Sequence, residues 1–99
     1  MWEQKKSKHP TIILCLEYEE FASIEIEKIL KGSIPQYTIN VDVYNIINDS
    51  VILYDLKDVE KALNEIKKSI EELYEDIPLM NDDEITSWVE EFQDCLAVY

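Results

Sequence analysis

The chain has 99 residues, enough for one domain with a single modest core. Hydrophobic residues make up 46% of it and it holds only one Gly and three Pro, a composition that argues against a disordered chain. Its 22 acidic residues outnumber 9 lysines for a net charge of −13, which disfavours nucleic acid as a direct partner because phosphates bind Lys and Arg.

The N-terminal segment, residues 1–10, carries three lysines and no periodic pattern, which predicts a flexible basic arm ahead of one domain over residues 11–99. The sole histidine, His9, lies in this arm, where nothing local would fix its position for catalysis. The apolar run from Ile12 to Leu16 then predicts a strand over Thr11 to Tyr18. Because that run is continuous, we expect the strand to be buried on both faces and central in its sheet.

The next stretch, residues 19–31, has apolar residues at helical spacing and is followed by Gly32, a suitable C-terminal cap. These features predict a helix. The same stretch also alternates Ile24 and Ile26 with polar residues, as a strand would. A strand is therefore the alternative here.

A β-hairpin is predicted over residues 38–56. Alternating apolar residues up to Ile47 indicate the first strand, Asn48-Asp49-Ser50 supplies turn-forming residues, and a β-rich run follows. A turn at Asp49-Ser50 opposes Asp42 to Lys57, whereas a turn one residue earlier opposes Asp42 to Asp55. We favour the first register, because two like charges directly opposite each other cost free energy.

Two apolar residues near this turn, Ile46 and Leu53, would then fall on the face of the hairpin that is otherwise polar. They are candidates for a helix contact or for an apolar binding patch.

Two amphipathic helices follow the hairpin. The first is predicted over Lys57 to Asp76, with Asp55 or Asp58 as its N-terminal cap and Pro78 as its end. The second begins at Asn81, and its apolar stripe comprises Ile85, Trp88, Val89, Phe92, Leu96 and Tyr99. The predicted fold is therefore α+β, with a three-stranded sheet in the order β-α-β-β-α-α and helices packed on one face.

The Cys, Gly and His content limits the kinds of binding or catalytic site that the chain could form. Cys15 and Cys95 lie on separate elements and are predicted to be free, buried thiols. With a single Gly and a single His, the chain has neither a phosphate-binding glycine loop nor a Cys/His metal cluster, so no cofactor and no metal are expected. No secretory signal and no membrane-spanning apolar stretch is visible, which predicts a cytoplasmic protein.

One segment of the sequence contains a pattern found in nucleases. Asp55-Leu56-Lys57 at the end of a strand, with Asp42 on the partner strand and Glu25 or Glu27 on the predicted first helix, resembles the PD-(D/E)xK nuclease motif. In that motif the acids hold a metal and the lysine positions the attacking water. No Pro precedes Asp42, however, and the net charge would repel DNA. Capping of the helix by Asp55 is favoured, and no enzymatic activity is expected.

The main functional feature is an acidic surface, since no lysine occurs from Ser69 onward. Carboxylates there lie off the apolar stripes and would be exposed, either as a solvated face or as a binding face. Solvated helices ordinarily mix Glu with Lys, whereas rows of unpaired carboxylates imitate phosphate spacing and steer a protein toward a Lys/Arg-rich groove. The predicted partner-binding residues are Glu71, Glu72, Glu75, Asp76, Asp82, Asp83, Glu90, Glu91 and Asp94.

Two resemblances accompany these patterns. A short, acidic, Arg-free chain with segments such as IEELYED and NDDEITSWVEEFQD resembles the small phage anti-defence proteins, among them anti-CRISPR proteins and other DNA mimics. That resemblance implies an inhibitor of a nucleic-acid-handling enzyme. The order of apolar positions in LCLEYEEFASIEIEKIL and INVDVYNIINDSVILYDLKDVEKALNEIKKSIEEL, over residues 11–77, is similar to the small dimerising subunit of the KEOPS tRNA-modification complex. It implies a structural subunit instead.

We therefore expect a non-enzymatic acidic protein that binds and inhibits a nucleic-acid-handling protein through the basic groove of that protein. The alternatives are a structural subunit of an assembly and an immunity protein against a basic toxin. A homodimer is compatible with the sequence.

Overall fold

The chain forms a five-stranded sheet followed by two helices. The structure, a computed structural model, describes residues 1–43 and 47–97. The elements are β1 (Trp2–Lys5), β2 (Ile12–Tyr18), β3 (Ala22–Lys31), β4 (Ile34–Val43), β5 (Ile47–Leu53), α1 (Leu56–Asp76), a 3₁₀ turn (Ile77–Leu79) and α2 (Asp82–Ala97).

Each strand from β2 onward pairs antiparallel with the strand that precedes it in the chain, so the order across the sheet is β1-β2-β3-β4-β5. The α+β class is confirmed, whereas the predicted three-stranded β-α-β-β-α-α arrangement is wrong. The segment predicted as a flexible arm supplies β1, and β2 is second from an edge, not central. Ile13 of β2 sits at an irregularity in the pairing with β3 and is 52% exposed, so this strand is not buried on both faces.

The predicted helix over residues 19–31 is the strand β3, the alternative that the pattern left open. Ala22, Ile24 and Ile26 point into the core, and the polar residues between them occupy the other face. In this stretch the alternation of side chains with a period of two, together with pairing to β2 on one side and β4 on the other, outweighs the irregular helical spacing of the apolar residues. Gly32, at φ +66°, lies in the β3–β4 turn and caps no helix.

The predicted hairpin register is also wrong. Asp42 lies opposite Asn48 and Val43 opposite Ile47, so Asn48-Asp49-Ser50 is inside β5. Ile46 lies outside the described residues. Leu53 is 5% exposed in the core, not on the polar face.

Asp49 is the main reason why the sequence of β5 is similar to that of a turn. It occupies a core-facing position of β5 between Ile47 and Val51, where an apolar residue would have continued the alternation. Its Oδ2 accepts a hydrogen bond of 3.2 Å from Gln93 Nε2 of α2, a residue far away in sequence. A carboxylate is tolerated at this half-buried position because it has this partner.

Both helices cover the same face of the sheet, as predicted. The buried stripe of α1 packs on β4 and β5, and its far end reaches Tyr18, whose ring lies 5.3 Å from that of Tyr74. Asp55 caps α1, since its Oδ1 accepts from the Lys57 N–H at 2.9 Å. The buried residues of α1 are Val59, Ala62, Ile66, Ile70 and Leu73.

The second helix, α2, packs against β5 through the buried Phe92 and Leu96. Trp88 is only half-buried and stacks on Phe92 with ring centroids 5.1 Å apart. Asn81 Oδ1 accepts from the Glu84 N–H at 2.9 Å, which confirms the predicted start of this helix. Tyr99, predicted on its stripe, lies outside the described residues. Neither helix combines the length and the apolarity that crossing a bilayer requires, within the residues described.

Candidate acidic interaction surface

Charge is divided along the helical layer. Every lysine of α1 lies in its first two thirds, and after Lys68 the remaining charged residues of α1 and α2 are all carboxylates. We call these carboxylates the acidic surface: Glu71, Glu72, Glu75, Asp76, Asp82, Asp83, Glu84, Glu90, Glu91 and Asp94. All but Glu71 are exposed.

Glu71 belongs to the fold as much as to the surface. It is half-buried, and its Oε1 accepts a 2.8 Å hydrogen bond from the indole Nε1 of Trp2. The ammonium of Lys67, which is on the same helix as Glu71, lies 5.6 Å from the centre of the Trp2 ring. These two contacts attach β1 to α1, so a change at Glu71 would alter the fold as well as the charge.

The exposed carboxylates have no cationic partners within the described parts of the chain. The ion pairs among the described residues lie in the N-terminal half of the chain, such as that of Lys5 with Glu3 at 3.1 Å. Lys68 stands one turn before Glu72, yet no ion pair forms between them. Their charges therefore add instead of cancelling, and the surface presents a negative field to solvent.

Helix dipoles distinguish two groups of carboxylates at helix ends within this surface. Asp82, Asp83 and Glu84 lie in the first turn of α2, where negative charge stabilises a helix. Glu75 and Asp76 lie in the last turn of α1, which holds no basic residue, and there negative charge opposes the dipole. Helix stability accounts for the first group and not for the second.

An open groove of about 370 Å³ runs beside the start of α2. Met80 and Trp88 provide half-buried apolar walls, and three carboxylates share its lining. An aromatic ring beside carboxylates can receive the alkyl stem and charged head of an Arg or Lys side chain. The sequence predicts Trp88 on the apolar stripe of this helix, but its partial exposure depends on how α2 packs on β5. The lining residues are Met80, Asn81, Asp83, Glu84, Ser87, Trp88 and Glu91.

Two titratable groups on the sheet have pKa values raised by burial and by nearby negative charge. Partial burial, followed by the charges of Glu25 and Glu17, raises the pKa of the Cys15 thiol. Partial burial and then the charge of Glu71 raise the pKa of Tyr18. Cys15 and Cys95 are both free, as predicted, but Cys15 is half-buried and Cys95 is exposed, so the prediction that both are buried is wrong.

The nuclease-like residues are not brought together. Asp42 lies opposite Asn48 near one end of β5, whereas Asp55 follows the other end and caps α1. From Asn48 to Leu53 the strand alone spans about 16 Å, at about 3.3 Å per residue. Nowhere in the described chain do three side chains of the metal-binding types converge on one point.

Comparison with protein-family models, with curated proteins and with solved structures yields no match for this chain. The resemblances to anti-defence proteins and to the KEOPS subunit therefore stay predictions, and the function is argued from the acidic surface itself.

Proposed function

We propose that this protein is a non-enzymatic acidic inhibitor, cytoplasmic in its place of action, that binds the basic groove of a nucleic-acid-handling protein in the manner of a DNA mimic. The observation that carries the proposal is the row of exposed, unpaired carboxylates on the last turns of α1 and on α2. Such a row presents to a Lys/Arg-rich groove the charge that a nucleic-acid backbone would present.

The position of the charges supports a binding role over plain solubility. Carboxylates placed only for solubility would gain by lying at helix N-terminal ends or beside lysines. Glu75 and Asp76 do neither, since the residues one turn before them are Glu71 and Glu72 and the last lysine of α1 is Lys68. A basic partner would supply the missing counter-charge.

The groove beside Trp88 gives the surface a specific contact as well as a field. A guanidinium stacked on the indole would lie within reach of the carboxylates in the groove lining, and Arg is the side chain best suited to combine stacking with bidentate pairing.

Capture of partners from a host lysate tests the proposal. The immobilised protein should retain nucleic-acid-binding proteins, and excess duplex DNA or RNA should release them because both ligands compete for one groove. Reversal of Glu72, Asp76, Glu90 and Asp94 to Lys should abolish capture and slow association, since steering acts mainly on the association rate.

A matched control carries the same change in net charge elsewhere. Reversal of Glu3, Glu20, Asp42 and Glu60 to Lys alters exposed residues off the acidic surface and should leave most of the binding intact. Equal loss in both variants, or a partner that stays bound in molar salt and in the presence of nucleic acid, would contradict the proposal. The second outcome would favour a structural subunit with an apolar interface.

A further inference from the structure

The outer edge of β5 is open for strand pairing. Within the described residues β5 pairs with β4 alone, and no backbone hydrogen bond from another element reaches its outer side. The opposite edge, β1, is only four residues long and carries Glu3 and Lys5, features that discourage pairing. The seven residues of β5 include neither Lys nor Pro. Their one charged residue, Asp49, points inward and accepts a hydrogen bond from Gln93 of α2, so no charge projects from this strand on the opposite face of the sheet.

This edge is also the neutral part of an acidic molecule. From residue 32 to residue 54 the only charged side chains are Asp42 and Asp49, in a chain of net charge −13. Two copies of the protein would repel each other least if they approached through this region.

Exposed apolar side chains and a recess lie along the same edge. Ile52 is 48% exposed, and Tyr54, immediately after the strand, is 62% exposed. A recess of about 230 Å³ is lined by Asp49, Ser50, Gln93 and Leu96. Because Asp49 and Ser50 point to opposite faces of the sheet, a recess that touches both follows the outer edge of the strand.

We propose that two copies of this protein pair antiparallel through β5, about a two-fold axis at Ser50, to form a sheet that is continuous across the dimer. In this register Ser50 opposes its own copy, Val51 opposes Asp49, and Ile47 opposes Leu53. No like charges are directly opposed, and the apolar pair at each end lies on the helix-covered face. The interface is isologous and closed, so pairing stops at the dimer.

Charge placed at the two-fold axis tests the register. In Ser50→Lys and in Ser50→Glu, identical charges would face each other in the dimer, whereas in the monomer the side chain is exposed beside Asn40. By analytical ultracentrifugation at micromolar concentration, the wild-type protein should sediment as a dimer and each variant as a monomer. An equimolar mixture of the two variants should recover the dimer, because Lys then faces Glu.

Asn40 provides the matched control. It is exposed in the same row of the same face, one strand inward, so Asn40→Lys and Asn40→Glu should stay dimeric. A monomeric wild type, a dimer that persists in each Ser50 variant, or a mixture that stays monomeric would each overturn the proposal. A wild type that remains monomeric while its β5 pairs with a strand of another protein would do so too.

The dimer does not depend on the proposed inhibitory function. Reversal of Glu72, Asp76, Glu90 and Asp94 leaves β5 untouched and should leave the dimer intact, so the two proposals fail or hold separately.

Discussion

Glu19 and Glu20 make the turn between β2 and β3 in a conformation that side chains rarely adopt. Their φ angles are 51° and 56°, and the turn is closed by the Phe21 N–H, which donates to the Tyr18 carbonyl at 2.8 Å. Left-handed backbone costs a non-glycine residue roughly 1–2 kcal/mol. The Glu19 carboxylate accepts a hydrogen bond from the N-terminal amine, so this strained turn also attaches the start of β1.

Glycine at position 20 should relieve part of that strain. We expect Glu20→Gly to be more stable than Glu20→Ala by about 1 kcal/mol, because both remove the same charge and only alanine keeps the Cβ. Urea denaturation of the two variants measures the difference. Equal stabilities would show that the turn is not strained at this residue.

Cysteine reactivity gives a second prediction at the scale of single residues. The pKa of Cys15 is raised, so at neutral pH it holds less thiolate, and it is half-buried; Cys95 is exposed. Iodoacetamide should therefore modify Cys95 first, as mass spectrometry would show. The rate at Cys15 should keep rising as the pH passes the ordinary thiol pKa.

Neutralising Glu25 supplies the control for this explanation. Its carboxylate lies 3.9 Å from the Cys15 sulfur and helps raise the thiol pKa, so Glu25→Gln should shift the Cys15 rate profile to lower pH and leave Cys95 unchanged. An unshifted profile would contradict the role of Glu25 and leave burial and the charge of Glu17 as the causes of the raised pKa.

At the scale of elements, α1 is the structural support of the sheet. It starts beside the end of β5 and its last turns reach β1 and β2 through Glu71 and Tyr74. Its central residue Ile66 is 2% exposed and lies in the single core cluster.

Ile66→Ala should lower the free energy of unfolding by about 2–5 kcal/mol, the range for a truncated buried aliphatic side chain. Lys68→Ala, two residues along on the exposed side of the same helix, should change it by less than about 0.5 kcal/mol. Denaturant titrations provide both values, and a loss below about 1 kcal/mol for Ile66→Ala would contradict the packing of α1 on the sheet.

The two helices were predictable because long amphipathic stripes, caps at Asp55 and Asn81, and Pro78 all agree. The strands were predicted less well for local reasons. The β2–β3 turn contains two glutamates at positions where Gly or Asn would have indicated a turn. In β5, the turn-forming residue Asp49 interrupts the apolar alternation, and its hydrogen-bond partner, Gln93, is distant in sequence. The acidic surface was predictable from composition, but the role of Glu71 and the exposure of Trp88 depend on tertiary contacts.

At the scale of the whole molecule, net charge opposes compaction. A charge of −13 on 99 residues, with the C-terminal third free of lysine, gives self-repulsion that the fold must overcome.

Added salt should therefore raise the melting temperature, since the Debye length shortens from about 30 Å at 0.01 M to about 8 Å at physiological ionic strength. Thermal unfolding followed by circular dichroism across a NaCl series measures this. The four-residue reversal to Lys changes the charge by two at each position, from −13 to −5, and should show a shallower dependence. A melting temperature that ignores salt in the wild-type protein would contradict this account.

The sequential strand order also bears on how the molecule is made. Each strand needs only its immediate predecessor as a partner, and Lys31 already pairs with Ile34 across the Gly32–Ser33 turn, the shortest connection in the sheet. Closing short loops costs little chain entropy, so the β3–β4 hairpin is suited to form first and to be extended by one strand on each side. The sheet can thus be largely assembled while α1 and α2 are still being synthesised, and the acidic surface is completed last.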